Sequence, residues 1–367
     1  MGKKTILNKL KMGFTTLAFL GFASFSNLNA QENYQPKYHT IVHKILQIED
    51  SVKSSYPNFE TLDKLIDNSK KYIPQKDNYT KEEIKEISKK IHENTNKELP
   101  DISKREDFCH REALCFLAIG KENNIPFYAS EMPGRPKGHM IIRYDPKRDG
   151  HDPINPNNPI NKGDINIEVT KGEIEEGEKY SDEYYKKKYR LTNESLEKSN
   201  SLRNLNEQEL FSLPYLQRAG HFYELKEFDK SLKECNKALN LNSKISEIYE
   251  TKGLIFYSKE DYKKAIKNFN KSIELNSVSP ELYGKRSMCY AKLENYKKSI
   301  EDLTTGINLI EKWKEQEEFP RDLGTLDAWK MKYLHNRHIC YKRIGNKKEA
   351  KNDLEKLNQI IELYEKN

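Results

Sequence analysis

The sequence predicts an α+β N-terminal domain, helices plus a small antiparallel sheet, followed by an all-α helical solenoid. Three observations carry that prediction. Apolar residues recur at three- and four-residue intervals through 38–100, the mark of amphipathic helices. Short runs rich in β-branched and aromatic residues occupy 125–169. From about residue 213 the chain repeats itself with a period of 34.

The 367 residues are enough for two or three domains, and 33 % charged side chains suit helices with broad solvated faces. The net charge of +7 is concentrated at the start, where Lys3, Lys4, Lys9 and Lys11 fall within eleven residues. They precede the apolar run "MGFTTLAFLGFASF" and then "SNLNA", a pattern expected of a secretory signal peptide over 1–30 with cleavage after Ala30. An uncleaved anchor is the alternative, because Leu28 is not the small residue usual at that position, and membrane attachment is expected only then. The expected location is outside the cytoplasm, periplasmic or secreted. No block of Lys and Arg interleaved with aromatics follows, which excludes nucleic acid as an expected partner. Five cysteines is an odd number, so at least one is free or pairs between chains. Their spacing matches no CxxC metal cluster, and no metal or small-molecule cofactor is expected.

Residues 31–205 are read as the first domain. Helices are predicted in "KYHTIVHKILQIEDSVKSSY", "FETLDKLIDNSKKYI" and "TKEEIKEISKKIHENTNKEL", the last opened by a capping box of Thr80 and Glu83. A further helix is predicted in "DFCHREALCFLAIGKENNIP", residues 107–126, and strands in "IPFYAS", "HMIIRY" and "INIEV". The stretch "DPKRDGHDPINPNNPINKGD" before the last strand accumulates Pro, Asn, Gly and Asp. Its acids lack EF-hand spacing, so it reads as a solvated hairpin.

The chemistry rests on Cys109, His139 and Glu168. Cys109 falls in or just before the first turn of its helix, where free N–H groups and the helix dipole favour a thiolate. Cys115 is six residues on, about 240° round the helix, among Leu114, Phe116 and Leu117, and is read as core. His139 opens a strand, where a base could reach the sulfur. Glu168 is a lone acid between apolar neighbours in the next strand and needs a partner such as an imidazole N–H.

Taken in order, Cys109, Ala113, Asn124-Ile125-Pro126, His139-Met140-Ile141-Ile142 and Glu168-Val169-Thr170 resemble the transglutaminase-like (papain-like thiol) superfamily. "EMPGRPKGHMIIRY" and "DINIEVT" are similar to the histidine and acid strands of an exported bacterial subgroup, with Glu where the wider superfamily has Asp. "SDEYYKKKYRLTNESLEKSNSLRNLNEQEL" is similar to the segment that leads into repeats in such proteins. The resemblance implies a cysteine hydrolase or acyl transferase acting on amide bonds of a protein or peptide. In it Cys109 attacks, His139 shuttles the proton and Glu168 orients the imidazole; hydrolysis and transamidation both stay open. The alternative is a catalytically inactive domain of this type within a protein-binding scaffold of the cell envelope.

Residues 206–367 carry the repeats. Tyr215, Tyr249 and Tyr283 keep the period, as do Ala219, Gly253 and Ser287, and Phe222, Phe256 and Tyr290. So do Phe228, Tyr262 and Tyr296, then Ser231, Ala265 and Ser299, and Ala238, Ser272 and Gly306. Small residues let two helices approach and aromatics fill the gaps between pairs, an arrangement that resembles the tetratricopeptide repeat. A fourth unit through His338, Tyr341, Ala350 and Leu354 needs 17 inserted residues around "KEQEEFPRDLGTLDAWK". "LEKLNQIIELYEKN" is expected to cap the array with a polar face. Cys235, Cys289 and Cys340 are read as small buried helix residues, and a protein partner is expected on the concave surface.

Overall fold

The computed structural model describes residues 37–38, 40, 42–45, 59–99, 108–132, 139–148, 150–151, 158, 161–176, 179–189, 191–199, 201–315 and 323–366. The expected signal segment and its cleavage point lie outside the described residues, as does most of the helix expected over 37–56. Among the described residues no helix is long and apolar enough to cross a membrane. The chain divides into two compact units. One takes in the described residues up to Phe222 together with Asp229–Ile245; the other takes in Tyr223–Phe228 and everything from Ser246 onward. The first helix pair of the repeat region therefore groups with the mixed α/β unit.

In that unit, α1 (Phe59–Ser69) buries Phe59, Leu62, Leu65 and Ile66 along one face. Helix α2 (Lys81–Glu98) buries Ile84, Ile87 and Ile91 at three- and four-residue steps. Its capping box forms as the sequence predicts. The Thr80 hydroxyl accepts from the Glu83 N–H at 3.3 Å, and the Glu83 carboxylate accepts from the Thr80 N–H at 2.8 Å. Helix α3 (Phe108–Glu122) is buried on every side from Ala113 to Ile119 and packs on α1, α2 and the sheet.

Helix α3 stops four residues earlier than the predicted 126. Ile125 N donates to Gly120 O at 2.8 Å, with Asn124 in the left-handed region at φ 55°. Asn tolerates that conformation, and this closure ends the helix before Pro126. The chain then enters β1 (Phe127–Met132), β2 (His139–Tyr144), β3 (Ile165–Glu168) and β4 (Glu173–Ile174), antiparallel and in sequential order. The two-residue β4 is too short to leave a periodic signal in the sequence. Gly172 makes the turn into it. Its φ of +63° suits glycine, and a Cβ there would sit 2.6 Å from the His92 Cβ.

The 145–164 stretch is not a solvated hairpin at its ends. Asp145 is fully buried, and the side chains of His151 and Asp164 are 6 % and 5 % exposed. Partners inside the protein hold those polar groups: Asn204 donates to Asp145, and His151 joins Asp164 to Asp182 at the start of α4 (Asp182–Tyr189). After α5 (Asn193–Lys198), Leu205 N donates to Ala129 O at 2.9 Å on the β1 edge. Helices α6 (Glu207–Glu224) and α7 (Phe228–Leu241) follow. Ser231 Oγ donates to Ala219 O at 2.6 Å, a contact only two small residues permit.

The second unit holds α8 (Ser246–Ser258), α9 (Tyr262–Leu275), α10 (Pro280–Lys292), α11 (Tyr296–Lys314), α12 (Leu323–Arg343) and α13 (Lys347–Lys366), a helical solenoid of packed pairs. Each pair turns in the same way. Glu260, Glu294 and Gly345 have φ of 60°, 58° and 78°, and the residue after each donates back to Phe256, Tyr290 and Tyr341 O. Gly253 lies against the Phe269 ring, and Gly284 and Gly306 both lie against Tyr333. Part of the predicted 17-residue insertion goes into longer helices. α11 has 19 residues and α12 has 21, against 14 and 13 in α9 and α10. The extra turns make their own core, where Trp313 and Trp329 meet at 6.5 Å and Lys314 pairs with Asp327 at 2.6 Å. His338, standing where other units have a small residue, points its Nδ1 at Ala350 O, 2.6 Å away. The exposed side of α13 mixes Glu355, Lys356, Gln359 and Glu362 with Leu354 and Leu363, which are 41 % and 63 % exposed.

Candidate functional site

The β2–β3 register sets the site. Ile142 faces Ile167 and Arg143 faces Asn166, so the next pair along places Glu168 opposite Ile141. His139 is two residues before Ile141 and points to the same side of the sheet. Glu168 and His139 are thus diagonal neighbours on one face, close enough for long side chains to meet. They do meet: His139 Nε2 lies 2.9 Å from Glu168 Oε2.

The rest of the carboxylate is also held. Thr170 Oγ1 donates to Glu168 Oε1 at 2.7 Å, and the Tyr185 hydroxyl donates to Oε2 at 3.1 Å. Burial alone would raise the Glu168 carboxyl. It is outweighed by the hydrogen bond and charge of His139, the Thr170 hydroxyl and the charge of Lys188, which bring the group down to about 2. Tyr185 moves the other way, well above the ordinary phenol range, because it is buried beside that carboxylate. Helix α4 supplies the wall of the site. Tyr189 stacks on the imidazole with centroids 5.8 Å apart and planes 14° from parallel, and Tyr185 lies at 6.0 Å. Lys188 Nζ sits over the Tyr184 and Tyr189 rings.

Of the three residues singled out in the sequence, the structure brings His139 and Glu168 together. Cys109 is in the first turn of α3 by its backbone, and its side chain lies outside the described residues. Cys115 is fully buried, and burial followed by the Glu112 charge pushes its thiol up to about 12, which fits a core residue. Cys235, Cys289 and Cys340 are buried, as read from the repeat pattern.

The sequence reading missed the other histidine–carboxylate contacts. His92 Nδ1 meets Glu112 on α3 and lies 3.1 Å from Val169 O, so α2 and α3 are tied to the end of β3. Hydrogen bonding to Glu112 raises the His92 pKa above its ordinary value despite burial. Glu112 alone gave a signal, as the single acid at the head of an apolar helix, three residues after Cys109. His43 Nε2 lies 3.1 Å from Asp63. His151 bridges two acids, with Nδ1 2.7 Å from Asp164 and Nε2 against Asp182. Arg143, fully buried, donates to Asn166, Asp182 and Leu202 O at 2.8 to 2.9 Å. These partners are 13 to 77 residues apart in sequence, too far for any local pattern to show. Among the described residues no group of three or more His, Cys, Asp or Glu could hold a metal ion.

The repeat region has its own recurring polar pair. Arg286 grips Asp302 through Nε and Nη2 at 2.9 and 2.6 Å, and Arg337 grips Asp353 at 2.9 and 2.7 Å. Arg218 and Glu234 form the same pairing, 16 residues apart, at 3.2 Å. The remaining unit has Lys252 and Asn268 at those positions. Each pair joins the two helices of one unit, and the sequence period alone does not reveal it.

Residues 246–278 and 280–312 match the family model of the tetratricopeptide repeat. No curated protein matches the sequence. Among solved structures, the chain is similar to MamA at 17 % identity, covering 42 % of this chain and 81 % of that one, with a TM-score of 0.36. It is similar to PilF of Pseudomonas aeruginosa at 13 % identity, covering 42 % and 63 %, with a TM-score of 0.34. It is also similar to YrrB, described as a TPR protein with an unusual peptide-binding site, at 22 % identity, covering 41 % and 86 %, with a TM-score of 0.28. At these levels the structural likenesses bear on neither partner nor activity. The comparisons support the repeats, and none of them supports the transglutaminase-like resemblance. The chain carries tetratricopeptide repeats across 246–312.

Proposed function

We propose that this chain is a protein-binding scaffold whose repeat array takes up a polypeptide partner. The observation that carries this reading is the pair of matched repeats at 246–278 and 280–312, each folded as two packed helices. Stacked pairs of this kind offer an extended surface rather than a closed pocket, which suits a polypeptide. The basic, then apolar, start of the sequence supports a location outside the cytoplasm, periplasmic or secreted. The test is a peptide display library selected on the whole purified chain, followed by hydrogen exchange with the selected peptide bound. Protection is expected on α8 to α11. Protection limited to α1 to β4 would overturn the reading.

One observation favours a second reading, thiol chemistry at Cys109. The 2.9 Å contact between His139 and an ionised, buried Glu168 is what an orienting acid does for a general base. Because Glu168 takes Nε2, exchange with a thiol would run through Nδ1. Cys109 Sγ would pass its proton to Nδ1 and attack the carbonyl carbon of an amide. The C–N bond then breaks as the imidazolium returns the proton to the leaving amine, leaving a thioester. Water or a second amine resolves the thioester, with His139 taking the incoming proton, which gives hydrolysis or transamidation. The tie from Glu112 through His92 to Val169 keeps the start of α3 near the Glu168 strand end and supports this reading. Iodoacetamide labelling near neutral pH, mapped by mass spectrometry, tests it. Fast labelling of Cys109 that disappears in His139→Ala is expected; equal, slow labelling of all cysteines would overturn it.

A further inference from the structure

The turns that join the two helices of each repeat pair lie along one edge of the helical unit, and the first of them, within Tyr223–Phe228, belongs to that unit too. Four such turns are equivalent. Lys226, Glu260, Glu294 and Gly345 are in the left-handed region at φ of 58° to 78°, and the residue before each stands at the tip. Three of those tip residues are apolar and open to solvent: Leu225 at 55 %, Leu293 at 40 % and Ile344 at 41 %. Only seven large apolar side chains among the described residues are that exposed, so three at one turn position form a pattern, not scatter.

The same edge is basic. Residues 259–264, 292–298 and 342–348 hold ten Lys or Arg against three acids, whereas the whole chain is nearly balanced at 64 against 57. At the other ends of the same helices the excess is gone: residues 275–281, around the turn from α9 to α10, contain one acid and no Lys or Arg. Residues 225–230 add the apolar tip Leu225 and no net charge.

The lysines are also presented in register. Lys263, Lys297 and Lys348 share one repeat position and are exposed. One place later, Lys264 and Lys298 lie over the Phe256 and Tyr290 rings, each 5.5 Å from the ring centre. That contact holds the aliphatic stem against the protein and leaves the head at the surface. Lys264 pairs with Asp261 at 2.8 Å and is still 64 % exposed.

We propose that this edge docks on an anionic phospholipid surface, with Leu225, Leu293 and Ile344 entering the acyl boundary and the flanking Lys and Arg meeting lipid phosphates. Cations at headgroup level beside aliphatic side chains that reach deeper are what an interfacial binder needs. An acidic polypeptide or another soluble polyanion would use the charges and leave the three aliphatic tips in water, so the tips favour the bilayer. Docking of this kind requires no spanning segment, and among the described residues no helix is long and apolar enough to be one. The contact is made by turns and not by helix faces, and the inference rests on neither reading of function given above.

The test is co-sedimentation of the whole chain with vesicles of phosphatidylglycerol and phosphatidylcholine in equal parts, or of phosphatidylcholine alone. Binding is expected to the mixed vesicles only, weakening as salt is added. Lys297→Glu, Lys298→Glu and Lys348→Glu together are expected to lower affinity about tenfold or more, and Leu293→Ser with Ile344→Ser to do the same. Lys271→Glu, Lys312→Glu and Lys356→Glu change the net charge equally but lie off the edge, and this variant is expected to bind nearly as the parent does. Thermal unfolding close to that of the parent shows that each variant is folded. No binding to the mixed vesicles, or equal binding to phosphatidylcholine, would overturn the proposal. Undiminished binding in the edge-charge variant would also overturn it and move the contact to the apolar start of the chain, which every variant keeps. An equal loss in the off-edge variant would reduce the effect to net charge and overturn it. A serine pair that binds like the parent would assign the edge to a soluble polyanion instead.

Discussion

Glu168 grips the His139 ring at Nε2 from the adjacent strand, 2.9 Å away, while Thr170 and Tyr185 occupy the rest of its carboxylate. The attraction is mutual: a carboxyl drawn down by an imidazolium holds that imidazolium in its charged form. Glu168→Gln keeps the shape and removes the charge. In that variant the His139 ring takes up its proton at a lower pH than in the parent, read from its ring protons by NMR. An unchanged titration contradicts the pairing.

The same carboxyl gives an acid-stability prediction. Its value in the folded chain, about 2, lies below the ordinary 4.5. Its contribution to stability is therefore complete above 4.5 and fades as the pH falls toward 2. Urea midpoints taken from pH 6 down to pH 2.5 fall in the parent. In Glu168→Gln the part of that fall due to this group is missing, and the curve is flatter over the same range.

His151 behaves with the opposite sign. Both of its ring nitrogens meet carboxylates, which only the doubly protonated ring satisfies. Burial and the Arg143 charge would lower its pKa, but Asp164 and Asp182 outweigh them and the net shift is upward from 6.5. Stability from this group is complete below 6.5 and is lost as the pH rises through the raised value. Urea midpoints of the parent fall on going from pH 6 to pH 9, and His151→Gln loses that dependence. Arg143→Met, which leaves Asp182 buried beside a missing cation, costs about 3–5 kcal/mol in the same assay.

Two glycines in the helical region should respond oppositely to alanine. A Cβ at Gly253 would lie 2.6 to 2.9 Å from Phe269 ring carbons, whereas nothing lies within 4 Å of one at Gly220. Gly253→Ala costs roughly 1–3 kcal/mol by overpacking. Gly220→Ala is neutral or stabilises by up to about 1 kcal/mol through helix propensity. Thermal unfolding of the two variants checks both signs.

Local signals were readable in the sequence where local physics decides. The Thr80–Glu83 capping box, the buried run from Ala113 to Ile119 and three strands rest on neighbours within a few positions, and the 34-residue period shows because each unit repeats the same local pattern. Glu168 was legible for a different reason: an acid between apolar strand residues demands a partner, and the diagonal sheet register supplies His139. What was not legible depends on distant pairing. Arg143 with Asp182, His151 with Asp164, and His92 with Glu112 join residues that no period links. The 145–164 stretch looked solvated because its composition is polar, yet its end residues serve as buried partners for Asn204 and Asp182. The i,i+16 pairs of Arg286 with Asp302 and Arg337 with Asp353 recur with the units, but a charge pair across two helices is invisible to a pattern of apolar positions.

Protein binding by the repeats is tested most directly by fluorescence anisotropy of a display-selected peptide against three forms of the full chain. The parent binds saturably. Gly253→Leu, which forces a side chain into the Phe269 ring, weakens binding about tenfold or more, while Glu168→Gln binds like the parent. Binding that survives Gly253→Leu and is lost in Glu168→Gln would contradict the account and move the binding surface to the α/β unit.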